Sequence, residues 1–135
     1  MSQEKQKPKK IQYHGQLDVY KLSVEAAMEI YELSKSFPKE EMYSLTDQIR
    51  RSSKSVSEQI TKGWRRRKDV ATFVNKMNEA EGEAAETQVW LEYSVKCLYI
   101  LREDGTRLHK TYDEIIGKLI NMGNHPEQWC LKTRN

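Results

Sequence analysis

Cysteine, proline and histidine are scarce in this chain of 135 residues: two Cys, three Pro and three His, with six Gly. Collagen-like, mucin-like and disulfide-stapled architectures are excluded on that ground. Cys97 and Cys130 form no framework and suit a reducing compartment. No apolar run approaches the about 18 residues that a membrane span requires. The opening MSQEKQKPKK is basic, yet no apolar stretch follows it, so it does not read as a secretory signal. These absences lead to the expectation of one cytoplasmic domain without a membrane segment.

Motifs for catalysis are missing as well. His14, His109 and His125 lie far apart, and no Glu-x-x-His accompanies Glu79, Glu81, Glu83 and Glu86, so a di-metal bundle site lacks its ligands. Neither cysteine stands in a recognisable spacing with His and Asp, and Cys97 reads as a thiol packed within a helix. No glycine-rich phosphate loop occurs. The expectation is a non-enzymatic protein with no cofactor and no metal.

What the chain does have is charge, at 32% of residues, and regular apolar spacing. The net charge of +3 conceals strong segregation. Residues 50–68 hold Arg50, Arg51, Lys54, Lys62, Arg65, Arg66, Arg67 and Lys68 against Glu58 alone, a net +7. Residues 25–49 carry −4 and residues 69–92 carry −5. Blocks of this kind create local fields that bear on partners rather than on fold.

The apolar spacing is helical throughout. Val19, Leu22, Ala26, Ile30, Leu33 and Phe37 step by three or four, beside a second row of Tyr20, Val24, Ala27 and Tyr31, which predicts a broadly buried helix over 17–36. Phe37-Pro38 breaks it. A second helix is predicted over 39–64, with a narrow stripe through Met42, Leu45, Ile49, Val56 and Ile60. Its serines at 52, 53, 55 and 57 permit close approach of a neighbour, and Gly63 is read as its cap. A third runs from about 68 to the stop at Asp104-Gly105, with Gly82 as a candidate kink; a fourth covers about 107–122. The seven tyrosines fall mostly at helical spacing and read as core or interface. The fold class is therefore all-α, an antiparallel up-and-down four-helix bundle over residues 15–124. A flexible basic tail precedes it at 1–14 and a C-terminal tail follows at 125–135, where Trp129 can pack back on the body.

The opening Leu17-Asp-Val-Tyr20, the Phe37-Pro38 break, Gln48 with Arg50-Arg51, Ser55-Val56, Gly63, Phe73 and Glu86-Thr87 carry a resemblance over roughly residues 16–122. The sequence resembles small bacterial four-helix-bundle proteins first noticed as reading frames in intervening sequences of large-subunit rRNA genes. It is similar also to the accessory variability determinant of diversity-generating retroelements. The resemblance implies a ring-shaped homo-oligomer, typically a pentamer. The retroelement relative further implies binding of nucleic acid and of a reverse transcriptase. Lys62 stands where the family usually has an acid, and Trp64-Arg65-Arg66-Arg67-Lys68 is richer in arginine than the family norm, which strengthens a basic surface.

The candidate nucleic-acid-binding residues are Arg50, Arg51, Lys54, Lys62, Trp64, Arg65, Arg66, Arg67 and Lys68. Lys and Arg suit phosphates, and Trp64 would offer a stacking face for a base or a guanidinium. Tail lysines Lys5, Lys7, Lys9 and Lys10 would assist as a flexible arm. The alternative is a solvated helix end paired with the acidic 79–92 segment of a neighbour. One of Arg50 and Arg51 is expected to turn inward onto Glu83 or Glu86. Two functions stay open: a nucleic-acid-binding oligomer that contacts phosphates, and an interaction scaffold or accessory subunit that docks a nucleic-acid enzyme such as a reverse transcriptase.

Overall fold

The computed structural model describes residues 11–132. Four helices follow one another: α1 (Asp18–Ser34), α2 (Leu45–Arg65), α3 (Val70–Lys96) and α4 (Arg102–Asn124). Single 3₁₀ turns stand at His14–Gln16, Lys39–Glu41 and Pro126–Gln128, and no strand occurs among the described residues. Short links between successive helices give the up-and-down bundle expected for four amphipathic segments. No helix among the described residues is long and apolar enough to cross a membrane.

The core forms where the four apolar stripes meet. Ile30 of α1, Ile49, Val56 and Ile60 of α2, Phe73 and Met77 of α3, and Leu108, Tyr112 and Ile115 of α4 are nearly or fully buried. Small residues bring α2 and α3 together: Ser52, Ser53 and Ser55 are buried, as are Ala80, Ala84 and Thr87. The Ser52 and Thr87 hydroxyls hydrogen-bond at 2.8 Å, so this close seam satisfies its own polar atoms. Across the opposite seam, Arg107 of α4 grips both carboxylate oxygens of Glu29 of α1 and reaches Asp104 at 3.1 Å. Those bonds raise the Arg107 pKa, Glu29 contributing most.

Several boundaries differ from the sequence expectation, each for a local reason. Residues 1–10 of the expected tail lie outside the described residues, but residues 11–14 are attached to the body. Ile11 packs on the core, and the His14 ring meets Tyr20 edge-on at 5.1 Å. The second helix begins at Leu45 rather than 39, because Lys39–Glu41 closes as a separate 3₁₀ turn. Glu41 there accepts from Ser44 Oγ at 2.5 Å and from Tyr99 Oη at 2.8 Å. The bond to Glu41 pushes the Tyr99 phenol up to about 12, while Ser44 first and Tyr99 second hold the Glu41 carboxyl below its ordinary range. Gly63 is not a cap. It lies inside the last turn of α2, where an added Cβ would meet Met77 Cε at 2.5 Å.

The third helix stops at Lys96, nine residues before Gly105. Leu98 takes φ 65°, while Tyr99 N–H donates to Ser94 O at 2.9 Å and Leu98 N–H to Val95 O at 2.9 Å. This is a Schellman closure with leucine at the position that favours glycine. The closure leaves Cys97 exposed, so it is not the packed thiol expected. Gly105 belongs to α4 instead of ending α3, and it is buried where an added Cβ would collide with Val95 Cγ2. Gly82 lies within the continuous helix α3. Trp129 is 8% exposed and joins the core, and Leu131 N–H donates to Arg67 O at 3.2 Å, fixing residues 126–131 beside the α2–α3 turn.

Leu98→Gly relieves a left-handed leucine whose side chain is 89% exposed, and is expected to raise unfolding free energy by about 0.5–1 kcal/mol. Gly105→Ala is expected to lower it by about 1–3 kcal/mol through overpacking against Val95. Urea unfolding followed by circular dichroism measures both. A destabilised Leu98→Gly or an unchanged Gly105→Ala would contradict the assigned α3–α4 geometry.

Candidate nucleic-acid interface

The basic block occupies α2 and the turn that follows it. At 100° per residue, Arg50, Lys54 and Arg65 fall close together on the outer side of α2, with Arg51 and Lys62 on the adjoining strip. Arg66 caps the helix, and Lys68 follows in the turn. Cations gathered at a helix C-terminus are favoured by the macrodipole, which offsets part of their mutual repulsion.

Five of these cations are free among the described residues. Lys54, Lys62, Arg65, Arg66 and Lys68 are all exposed. The ion pairs of the described residues involve Lys35, Arg51, Lys76, Arg107, His109 and His125 and none of those five. Three nearby acids are engaged elsewhere, while Glu58, one turn from both Lys54 and Lys62, is exposed and forms no ion pair with either. Asp69 caps α3 by accepting from Thr72 N–H at 3.2 Å, and the backbone and side-chain bonds from Thr72 hold its carboxyl below the usual range. Glu83 accepts from Ser55 Oγ at 3.0 Å, and Glu79 meets Lys76 at 3.2 Å.

The other candidates divide. Arg51 does reach Glu86, at 3.7 Å, but with side chains 55% and 39% exposed the pair sits in water and contributes at most about 1 kcal/mol. Arg50 turns the other way, to α1: its Nε donates to Ser34 Oγ at 2.7 Å and its guanidinium lies 4.8 Å from the Tyr31 ring centroid. Neither arginine is buried against an acid.

Trp64 is corrected outright. At 2% exposure it belongs to the core and offers no face to a base. Its accessible side is taken by Arg67, whose Cζ stands 3.6 Å from the ring centroid and whose Nε donates to Trp64 O at 2.8 Å. Arg67 is thus a half-buried strut over the tryptophan, its pKa lowered chiefly by burial. The same burial pushes the neighbouring Cys130 thiol up, with the Arg67 charge opposing. Two members of the expected site, Trp64 and Arg67, hold the turn instead of forming its open surface. The residues missed were Tyr31 and Lys35 of α1. Tyr31 continues an apolar row in the sequence, yet stands 42% exposed with Lys35 Nζ 5.1 Å from its ring centroid. Of the seven tyrosines only Tyr112 is fully buried, its phenol raised by that burial.

Comparison with known proteins gives a consistent answer. The sequence model of the 23S rRNA-intervening sequence protein family matches residues 15–121. The fold is similar to the crystal structure of a protein of unknown function from the S23 ribosomal protein family of Bacteroides thetaiotaomicron. The TM-score is 0.70 at 33% identity, covering 78% of this chain and 95% of that one. No curated protein matches the sequence.

Trp64→Ala is expected to lower stability by about 3–5 kcal/mol in urea unfolding, as for a large core residue. A loss below about 1 kcal/mol would place Trp64 back on the surface.

Proposed function

We propose that this chain, which belongs to the 23S rRNA-intervening sequence protein family, is a non-enzymatic cytoplasmic protein that binds nucleic acid through the phosphate backbone. The observation that carries the reading is the group of five exposed cations without acidic partners on α2 and its C-terminal turn. From Arg50 to Arg65 the stripe is about 22 Å long at 1.5 Å per residue. That length corresponds to roughly six base-pair steps along a duplex axis, at a rise of about 3.4 Å each. Contacts of this type carry no base information, so binding shows little sequence preference. Copies of the chain assemble into a homo-oligomer, a pentameric ring on the resemblance above, which repeats the stripe around one particle.

A second reading, a scaffold docking a nucleic-acid enzyme such as a reverse transcriptase, is favoured by the opposite end of the bundle. There Tyr43 is 91% exposed, Leu98 89%, Leu101 68% and Met42 53%. The Tyr99–Glu41 bond sets their two loops side by side. The positive φ of Leu98 adds backbone strain at that end.

Fluorescence anisotropy with a labelled duplex, titrated across salt concentrations, separates the two. If all five cations engage, log K falls against log salt with a slope of about −4.5 per protomer. Arg65→Glu/Arg66→Glu/Lys68→Glu leaves two and flattens the slope to about −1.8, with unchanged helicity by circular dichroism. Equal affinity and slope for the triple variant would overturn the phosphate-binding reading and leave the scaffold reading standing.

A further inference from the structure

Tyr31 sits where the basic stripe of α2 meets α1, and its surroundings are unusual for a surface tyrosine. Two cations approach one ring, the Arg50 guanidinium at 4.8 Å and the Lys35 ammonium at 5.1 Å from the centroid. They are held very differently. Arg50 is half-buried and fixed by its bond to Ser34 Oγ at 2.7 Å, and the Ser34 hydroxyl is itself anchored by donating to Tyr31 O at 2.8 Å. Lys35 is restrained only by an exposed pair with Glu32 at 3.0 Å, their side chains 54% and 60% exposed. An exposed pair of that kind costs little to break.

We infer that the Tyr31 ring, braced by Arg50 and covered by the displaceable Lys35, is a stacking platform for one unpaired base of a single-stranded nucleic acid. This rests on the phosphate-binding reading above and sharpens it to a substrate class. A base slides over the ring in place of the Lys35 ammonium. Arg50 keeps the platform in position, and the strand's phosphates continue along Lys54 toward Arg65. Aromatic stacking is indifferent to base identity, because every base has a π-face, and it needs a base outside a double helix. The structure supplies no second exposed aromatic within the basic stretch, since Trp64 is buried. One base per protomer is therefore held by stacking and its neighbours by charge.

The test compares a labelled 12-nucleotide single strand with the same sequence as a duplex, in anisotropy titrations of the full chain carrying Tyr31→Ala or Tyr31→Phe. Tyr31→Ala is expected to weaken single-strand binding at least about fivefold, to change duplex binding less than about twofold, and to leave the salt slope unchanged because no cation is lost. Tyr31→Phe keeps the ring and stays within about twofold of the parent on both ligands. Equal weakening on strand and duplex would mean that Tyr31 only supports Arg50, and no weakening would mean that it is idle; either result overturns the stacking site while phosphate binding stands. Failure of the parent protein to bind either ligand overturns both. Circular dichroism establishes that the variants are folded.

Discussion

Mutual repulsion among the cations of α2 is the constraint that the rest of this structure answers. Lys54, Lys62, Arg65, Arg66 and Lys68 stand within fifteen residues and find no acidic partner among the described residues. Surface ion pairs contribute little individually, so the helix cannot owe its position to them. It owes it to the inner face, where Ile49, Val56, Ile60 and Trp64 are at most 2% exposed. The Ser52–Thr87 bond satisfies the polar atoms of the closest approach. Burial of one face supplies the free energy that permits unbalanced charge on the other.

The turn after α2 shows the same division of labour. Arg67 lies over Trp64 and its carbonyl receives Leu131 N–H, so one arginine of the run ties the turn to the core and to the C-terminal segment. Asp69 is committed to the start of α3 through Thr72. With these two groups occupied, Arg65, Arg66 and Lys68 remain pointing to solvent. A cluster that reads as uniform in one dimension is therefore part scaffold and part surface.

Much of the fold was legible because helical periodicity is a property of local sequence. Val19, Ala26, Ile30 and Phe37 of the first apolar row and Ser52, Ser53 and Ser55 of α2 are buried as the spacing implies. The ends were harder. Leu98 closes α3 in a conformation that favours glycine, so no residue type announced the stop, and Gly105, which looked like punctuation, is a close-approach position inside α4. Within the candidate site, the charge block was visible but its depth was not. Trp64 and Arg67 sit one helical turn or less from exposed arginines, and only three-dimensional packing separates them. Tyr31 was hidden by the opposite error, an exposed ring that continues a buried row.

An outer face of α2 that is open to phosphates has lysines that are accessible in the free protein and covered in the complex. Lysine acetylation by an amine-reactive reagent, read by mass spectrometry with and without a bound oligonucleotide, tests this most directly. Lys54, Lys62 and Lys68 should react readily in the free protein and become protected by nucleic acid, while Lys21 on α1 and Lys110 on α4, exposed on other helices, stay reactive throughout. If the three basic-face lysines are already unreactive without nucleic acid, or react equally with it bound, that face is not where phosphates go.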